Sequence, residues 1–242
     1  VTASLAFALA LKGYKVGVLD ADVHGPSIPR MMGVSGQYLE ATSDGRILPA
    51  TAPLNVKVVS VGLMLPSEDT PVIWRGPLKT SAIRELLAYT DWGDIEFLLI
   101  DLPPGTGDEQ LTIAQLIKDL TGTIIVTIPS EVSRSVVVKA IGFARKLGVP
   151  ILGIIENMSY FECPDGSLHR IFGEGAGRRI AEEYGIAFLG EIPIDPRISE
   201  ANDKGIPFFV EYPDSRASKA FLAVADKLLE IIQRSARKEE NQ

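Results

Sequence analysis

Phe97-Leu98-Leu99-Ile100-Asp101-Leu102-Pro103-Pro104-Gly105-Thr106-Gly107-Asp108 is the stretch whose reading decides the fold. Four large apolar residues follow one another without alternation, the pattern of a strand buried on both faces of a parallel sheet. Burying them is worth roughly 6–12 kcal/mol at about 1.5–3 kcal/mol each, which holds Asp101 at the carboxyl end of the strand. Open α/β sheets bind ligands at that edge. Pro103 and Pro104 cannot continue a ladder, and Gly105 and Gly107 permit close backbone approach. A fixed acid followed by a Gly-rich turn matches the Walker-B arrangement, in which an Asp serves the magnesium of a bound nucleotide and the next loop senses the terminal phosphate. A buried strand ending in an ordinary Asp-Pro turn is the plainer alternative.

Upstream, Val1 to Leu11 has helical spacing and Gly13 in a C′ position. The strand Lys15 to Leu19 runs into a second acidic loop, Asp20-Ala21-Asp22-Val23-His24-Gly25-Pro26-Ser27. Arg30 to Pro53 reads as a short helix followed by a surface excursion with a hairpin, and Val56 to Val61 as a strand. Pro66 to Gly76 reads as loop and Pro77 to Tyr89 as a helix begun by an early Pro.

Downstream, Glu109 to Leu120 is amphipathic and Thr123 to Ile128 is an apolar strand. Ser130 to Ser133 caps a helix over Val136 to Leu147, which Gly148 stops. Ile151 to Ile155 is a buried strand ending at Glu156-Asn157-Met158-Ser159-Tyr160. An insertion over 157–172 carries Cys163, and a helix from Gly173 to Tyr184, a strand Ala187 to Ile192 and the turn Pro193-Ile194-Asp195-Pro196 follow. The alternation predicts an α/β fold, a doubly wound and mostly parallel sheet with helices on both faces. No repeat or linker marks a boundary, so residues 1–242 read as a single domain. The last helix, Ser215 to Ala236, has one apolar face and reads as packed, because a membrane-surface helix would carry a more basic polar face. The polar tail beyond it is expected to fray.

The chain has 242 residues and a net charge of −7, which argues against a broad basic face for nucleic acid. Its apolar runs are strand-length, so no membrane partner is expected and a cytoplasmic protein is. The single cysteine, Cys163, rules out an internal disulfide and a four-cysteine metal site within one chain.

With Asp20 to Ser27, Asp101 to Asp108, Asn157 to Phe161 and Ile192 to Arg197 in view, the chain resembles the Mrp/ApbC family over almost its whole length. The family comprises P-loop ATPases related to MinD that carry iron–sulfur clusters. The resemblance implies a P-loop NTPase, MinD-like fold with ATP or ADP and Mg2+ as ligands. The family's phosphate loop directly precedes a helix like Val1 to Leu11, and the expectation is that the sequence opens just past it.

Residue by residue, the resemblance makes Asp22 the acid that positions the attacking water, with Asp20 beside the metal. Asp101 holds magnesium, through water, and Pro104, Gly105 and Thr106 lie near the γ-phosphate. Asn157 resembles the adenine-reading side chain, and Pro193 and Asp195 the segment lining the base. An Asn at a strand end is also an ordinary turn residue. His24 has two readings, a contact to phosphate or a partner chain and a loop-stabilising role.

Family members commonly carry Cys-x-x-Cys after the Asn-Met-Ser-Tyr-Phe run, so that two chains pool four thiolates around a bridging four-iron cluster. Here the run is Cys163-Pro164-Asp165-Gly166. Pairing across a twofold still brings two Cys163 thiolates together, for a 4Fe-4S cluster or Zn2+. His169, with Asp165 as the alternative, is the candidate to complete a two-chain site; a solitary loop thiol is the other reading. The resemblance implies a slow ATPase whose nucleotide state controls a homodimer that delivers clusters to apo iron–sulfur clients. Its rivals are a MinD/ParA-like positioning ATPase and a nucleotide-binding regulator that no longer carries a cluster.

Overall fold

The structure, a computed structural model, describes residues 1–65 and 76–239. The expected loop from Pro66 lies outside the described residues up to 75, as does the tail from 240. Two compact units form, Thr2–Leu116 with Arg197–Tyr212, and Ile117–Pro196 with the chain from Pro213.

The first unit begins with α1 (Thr2–Leu11), apolar nearly all round and buried from Ala3 to Leu9, as a helix enclosed by its neighbours must be. It ends as its sequence requires: Gly13 takes φ 92°, and the Tyr14 N–H donates to the Leu9 carbonyl at 3.2 Å. Then come β1 (Val16–Asp20), α2 (Ile28–Met31), a small antiparallel hairpin of β2 (Glu40–Ala41) and β3 (Ile47–Leu48), β4 (Ala50–Thr51) and β5 (Lys57–Ser60). After α3 (Gly76–Tyr89) the chain enters β6 (Phe97–Asp101) and α4 (Asp108–Leu116). The sheet order is β4-β5-β1-β6, with β1 parallel to both β5 and β6. The strand buried at every position is β1, whereas β6, an edge strand of this sheet, is half-buried throughout. That corrects the expectation for Phe97 to Ile100: an unalternating apolar run marks sheet membership, and edge position limits how deeply it is covered.

The second unit holds β7 (Thr123–Thr127), α5 (Glu131–Lys146), β8 (Ile151–Glu156), the hairpin β9 (Phe161–Glu162) and β10 (Leu168–His169), α6 (Ala176–Tyr184) and β11 (Phe188–Glu191). The order is β11-β8-β7, all parallel. Its core packs Ile125, Val137, Ile141, Ile154 and Ile180 together. Helix α5 begins at Glu131, earlier than its apolar spacing suggests, because a carboxylate in the first turn suits the helix dipole. Ser130 occupies the N-cap position, but its hydroxyl makes no cap bond. Helix α4 stops at Leu116, short of the expected Leu120.

Two helices were not foreseen, α7 (Pro196–Lys204) and α8 (Phe208–Glu211). Their signals are Pro196 in the first turn and Gly205, at φ 66°, after the last. Gly205 also meets Gly33: a Cβ on Gly33 would stand 2.4 Å from the Gly205 carbonyl oxygen, so only two glycines fit. The chain closes with α9 (Arg216–Glu239), which packs on β11 and β8.

Candidate functional site

Two acidic loops leave neighbouring strands of the first unit at the same edge. Asp20 pairs in register with Asp101 across β1 and β6, and the Ala21 N–H donates to the Asp101 carbonyl at 2.8 Å. Asp20 is buried, and its carboxylate accepts the Ser60 hydroxyl at 3.0 Å and the Asp22 N–H at 3.2 Å. Burial pushes the Asp20 carboxyl up to about 7; the Ser60 bond opposes that shift and the nearby Asp101 charge adds to it. Asp101 is also raised, again first by burial, against a hydrogen bond from the Thr2 hydroxyl. Asp22 is half-buried and turns its own loop by accepting the Gly25 N–H at 3.1 Å. His24, in that loop, is exposed.

The buried Asp20 and half-buried Asp101 carboxylates, both raised by burial, form an all-oxygen donor set, and a hard divalent ion such as magnesium suits it. Pro104, Gly105 and Thr106 are exposed on the loop that follows Asp101, with Gly105 at φ 104°. The structure therefore gathers Asp20, Asp22, Asp101 and this loop at one sheet edge. Thr2, Ser60 and Gln110 belong to the same neighbourhood and were missed. Ser60 had a sequence signal, since it ends the strand beside Asp20; Thr2 had none.

The remaining expected residues belong to the second unit. Asn157 follows β8, half-buried, and its N–H donates to the Thr127 carbonyl at 2.7 Å. The Ser159 N–H reaches the Ile192 carbonyl at 2.9 Å and the Ile194 N–H the Tyr160 carbonyl at 2.7 Å, which draws Pro193 and Asp195 alongside the Asn157 turn. Beneath it lies Glu156, fully buried and without a cationic partner in its hydrogen bonds: one carboxylate oxygen accepts the Ser159 hydroxyl at 3.0 Å, the other the Gly177 N–H at 2.7 Å. Gly177 is in the first turn of α6, where a carboxylate is favoured by the exposed helix amides.

The hairpin carrying Cys163 continues from the same turn, and Phe161 bridges to Ile194. The Gly166 N–H donates to the Cys163 carbonyl at 2.9 Å, and Gly166 sits at φ 83°. Cys163-Pro164-Asp165-Gly166 is thus a tight turn with Pro at its second position and a left-handed Gly closing it. By strand register Cys163, Ser167 and His169 share one face of the hairpin. Ser167 bridges there between Asp165, at 2.6 Å, and His169 Nε2, at 3.4 Å. Among the described residues no group of three or more His, Cys, Asp or Glu converges as a metal site within one chain. No helix among them is long and apolar enough to cross a membrane.

A family model described as NUBPL iron-transfer P-loop NTPase, of the ParA type, matches residues 1–229. An iron–sulfur cluster carrier protein of Saccharolobus solfataricus is 54% identical over 234 residues, covering 96% of this chain and 79% of the relative. One from Methanocaldococcus jannaschii is 50% identical, covering 96% and 80%. Among solved structures, a nucleotide-binding protein of Archaeoglobus fulgidus in complex with ADP superposes with a TM-score of 0.74 at 40% identity, covering 86% of this chain and 80% of that one. The septum site-determining protein MinD of Pyrococcus horikoshii, complexed with Mg-ADP, shares the fold with a TM-score of 0.68 at 23% identity, covering 94% and 88%. The acidic strand ends, the loop after Asp101 and the extent of these matches lead to one conclusion: the chain belongs to the ParA-type family of NUBPL iron-transfer P-loop NTPases.

Proposed function

We propose that this protein is an ATP-binding, ATP-hydrolysing iron–sulfur cluster carrier that works as a nucleotide-controlled homodimer in the cytoplasm. The observation that carries the nucleotide half is the pairing of Asp20 with Asp101, two carboxylates raised by burial at one sheet edge. Asp101 and Asp20 would hold Mg2+, which when bound neutralises phosphate charge. Asp22, braced by the Gly25 N–H, orients the attacking water, and Pro104 to Thr106 meet the terminal phosphate. Asn157 reads the adenine edge, with Pro193 and Asp195 along the base. Hydrolysis then rests on positioning and charge neutralisation, and it is slow without a partner.

The cluster is cargo, bound between two chains through Cys163 of each, with His169 as the second donor type; apo iron–sulfur proteins receive it. Support comes from relatives at 50% identity and above that are named as carriers. A second reading, a regulator that carries no cluster, is favoured by Gly166, which stands where a second thiolate would be needed and closes a turn instead. Cluster transfer from the reconstituted full-length protein to an apo-acceptor separates the two. Transfer whose rate changes with Mg-ATP supports the carrier; no transfer under either condition supports the regulator.

A further inference from the structure

Gln110 is the side chain most closely tied to the loop after Asp101, and neither the motifs nor the proposed chemistry uses it. Since α4 starts at Asp108, Gly107 stands at the N-cap and Gln110 at the third helical position. Gln110 Oε1 accepts the Gly107 N–H at 2.8 Å, which is one half of a capping box. A cap needs no more than that. Yet the same amide reaches back across the loop, where Nε2 donates to the Pro103 carbonyl at 2.6 Å. One planar group therefore joins both ends of 103–107, with Gly105 at φ 104° between them. Pro103 and Pro104 have no N–H, so this loop has few donors with which to order itself. Among side chains of this length only a Gln both accepts from Gly107 and donates to Pro103: Glu cannot donate, Lys cannot accept and Met does neither.

We propose that Gln110 is a positioning residue that clamps the 103–107 loop in the shape from which Pro104, Gly105 and Thr106 meet the terminal phosphate. The inference rests on the reading of that loop as the phosphate-sensing turn. Gln110→Glu retains the acceptor, and with it the cap, while removing the donor to Pro103. Gln110→Met removes both without adding charge.

The test measures Mg-ATP hydrolysis, thermal unfolding and hydrogen exchange over 102–110 in the full-length protein and both variants. For Gln110→Glu the unfolding midpoint stays within about 2 °C of wild type, because the cap persists. Its kcat falls roughly tenfold with KM for ATP within about twofold, the signature of lost positioning rather than lost binding. Gln110→Met shows the same loss of kcat, and amide exchange over 102–107 is several-fold faster in both variants, on the order of the loss of one local hydrogen bond. Wild-type kcat and exchange in Gln110→Glu would reduce Gln110 to a helix cap and overturn the proposal. A loss confined to Gln110→Glu would be an effect of charge and would overturn it too. If the wild type hydrolyses no ATP, the functional reading fails and exchange alone judges the clamp: faster in both variants upholds it, unchanged overturns it.

Discussion

Asp20 and Asp101 stand side by side in register at the carboxyl ends of β1 and β6, and burial raises both carboxyls. The Ser60 hydroxyl opposes that shift at Asp20, and the Thr2 hydroxyl and a nearby positive charge oppose it at Asp101; magnesium bound there with a nucleotide, as proposed, would favour ionisation of both. Asp101→Ala is expected to weaken Mg-dependent nucleotide binding by roughly tenfold or more. Asp22→Ala is expected to spare binding and depress hydrolysis by roughly 100-fold, because its proposed role is to orient the attacking water rather than to hold the nucleotide. Calorimetric titration with Mg-ATP beside steady-state hydrolysis checks both, and undiminished hydrolysis in the two variants would place the chemistry on other carboxylates.

The same burial makes stability depend on pH. Asp20 sits at about 7 in the folded protein against an ordinary 3.8, so the folded state retains a proton that the unfolded chain releases. Its contribution is complete below pH 3.8 and is lost as pH rises towards 7, by up to about 4 kcal/mol at 1.36 kcal/mol per pH unit. Urea unfolding in metal-free buffer between these limits should therefore show a slope that Asp20→Asn flattens. An equal slope in both proteins would contradict the assignment to Asp20.

The pair formed by Lys79 of α3 and Glu109 of α4 ranks among the least exposed salt bridges of the described residues: Lys79 Nζ lies 2.6 Å from Glu109 Oε1, with side chains 15% and 7% exposed. Burial pushes the Glu109 carboxyl up, but the Lys79 bond and charge outweigh it and hold the carboxyl below its ordinary range. Lys79→Met leaves that charge buried and alone, a loss of roughly 3–5 kcal/mol in urea unfolding. Combining it with Glu109→Leu should recover most of the loss, whereas additive destabilisation would show that the two side chains are not energetically coupled.

Much of this arrangement is legible in the sequence because it depends on local chemistry. Asp20 and Asp101 terminate apolar runs, Gly13 and Gly148 stop helices, and Asn157 follows a strand; each is read from neighbours a few residues away. The cap at Ser130 and the burial of Phe97 to Ile100 were misread for a different reason. A hydroxyl at an N-cap bonds only if its rotamer is free to do so, and an apolar run does not disclose whether its strand is central or at an edge. Thr2 and Asp101 are far apart in the chain, as are Glu156 and Gly177, and no local pattern announces either contact.

Glu156 is a residue of this second kind. Its two carboxylate oxygens hold the Ser159 hydroxyl and the Gly177 N–H, and so fix the turn that presents Asn157. Glu156→Ala is expected to cost about 1–3 kcal/mol for the Gly177 N–H left without its acceptor, since the Ser159 hydroxyl keeps the Glu156 carbonyl at 2.9 Å. It should also weaken nucleotide binding while leaving Mg-dependence intact, because it disturbs only the turn of Asn157, the residue proposed to read the base. Wild-type stability in urea would show that solvent or a relaxed backbone satisfies the Gly177 N–H.

Whether one cysteine per chain holds the cargo is the central claim. The most direct measurement is iron, sulfide and zinc content of anaerobically reconstituted full-length protein, wild type beside Cys163→Ser, with molecular mass determined on the same samples. The account predicts about four iron and four sulfide, or about one zinc, per two wild-type chains. It predicts loss of that metal in Cys163→Ser. Equal metal content in the two proteins, or metal on a monomer, would contradict a site shared through Cys163.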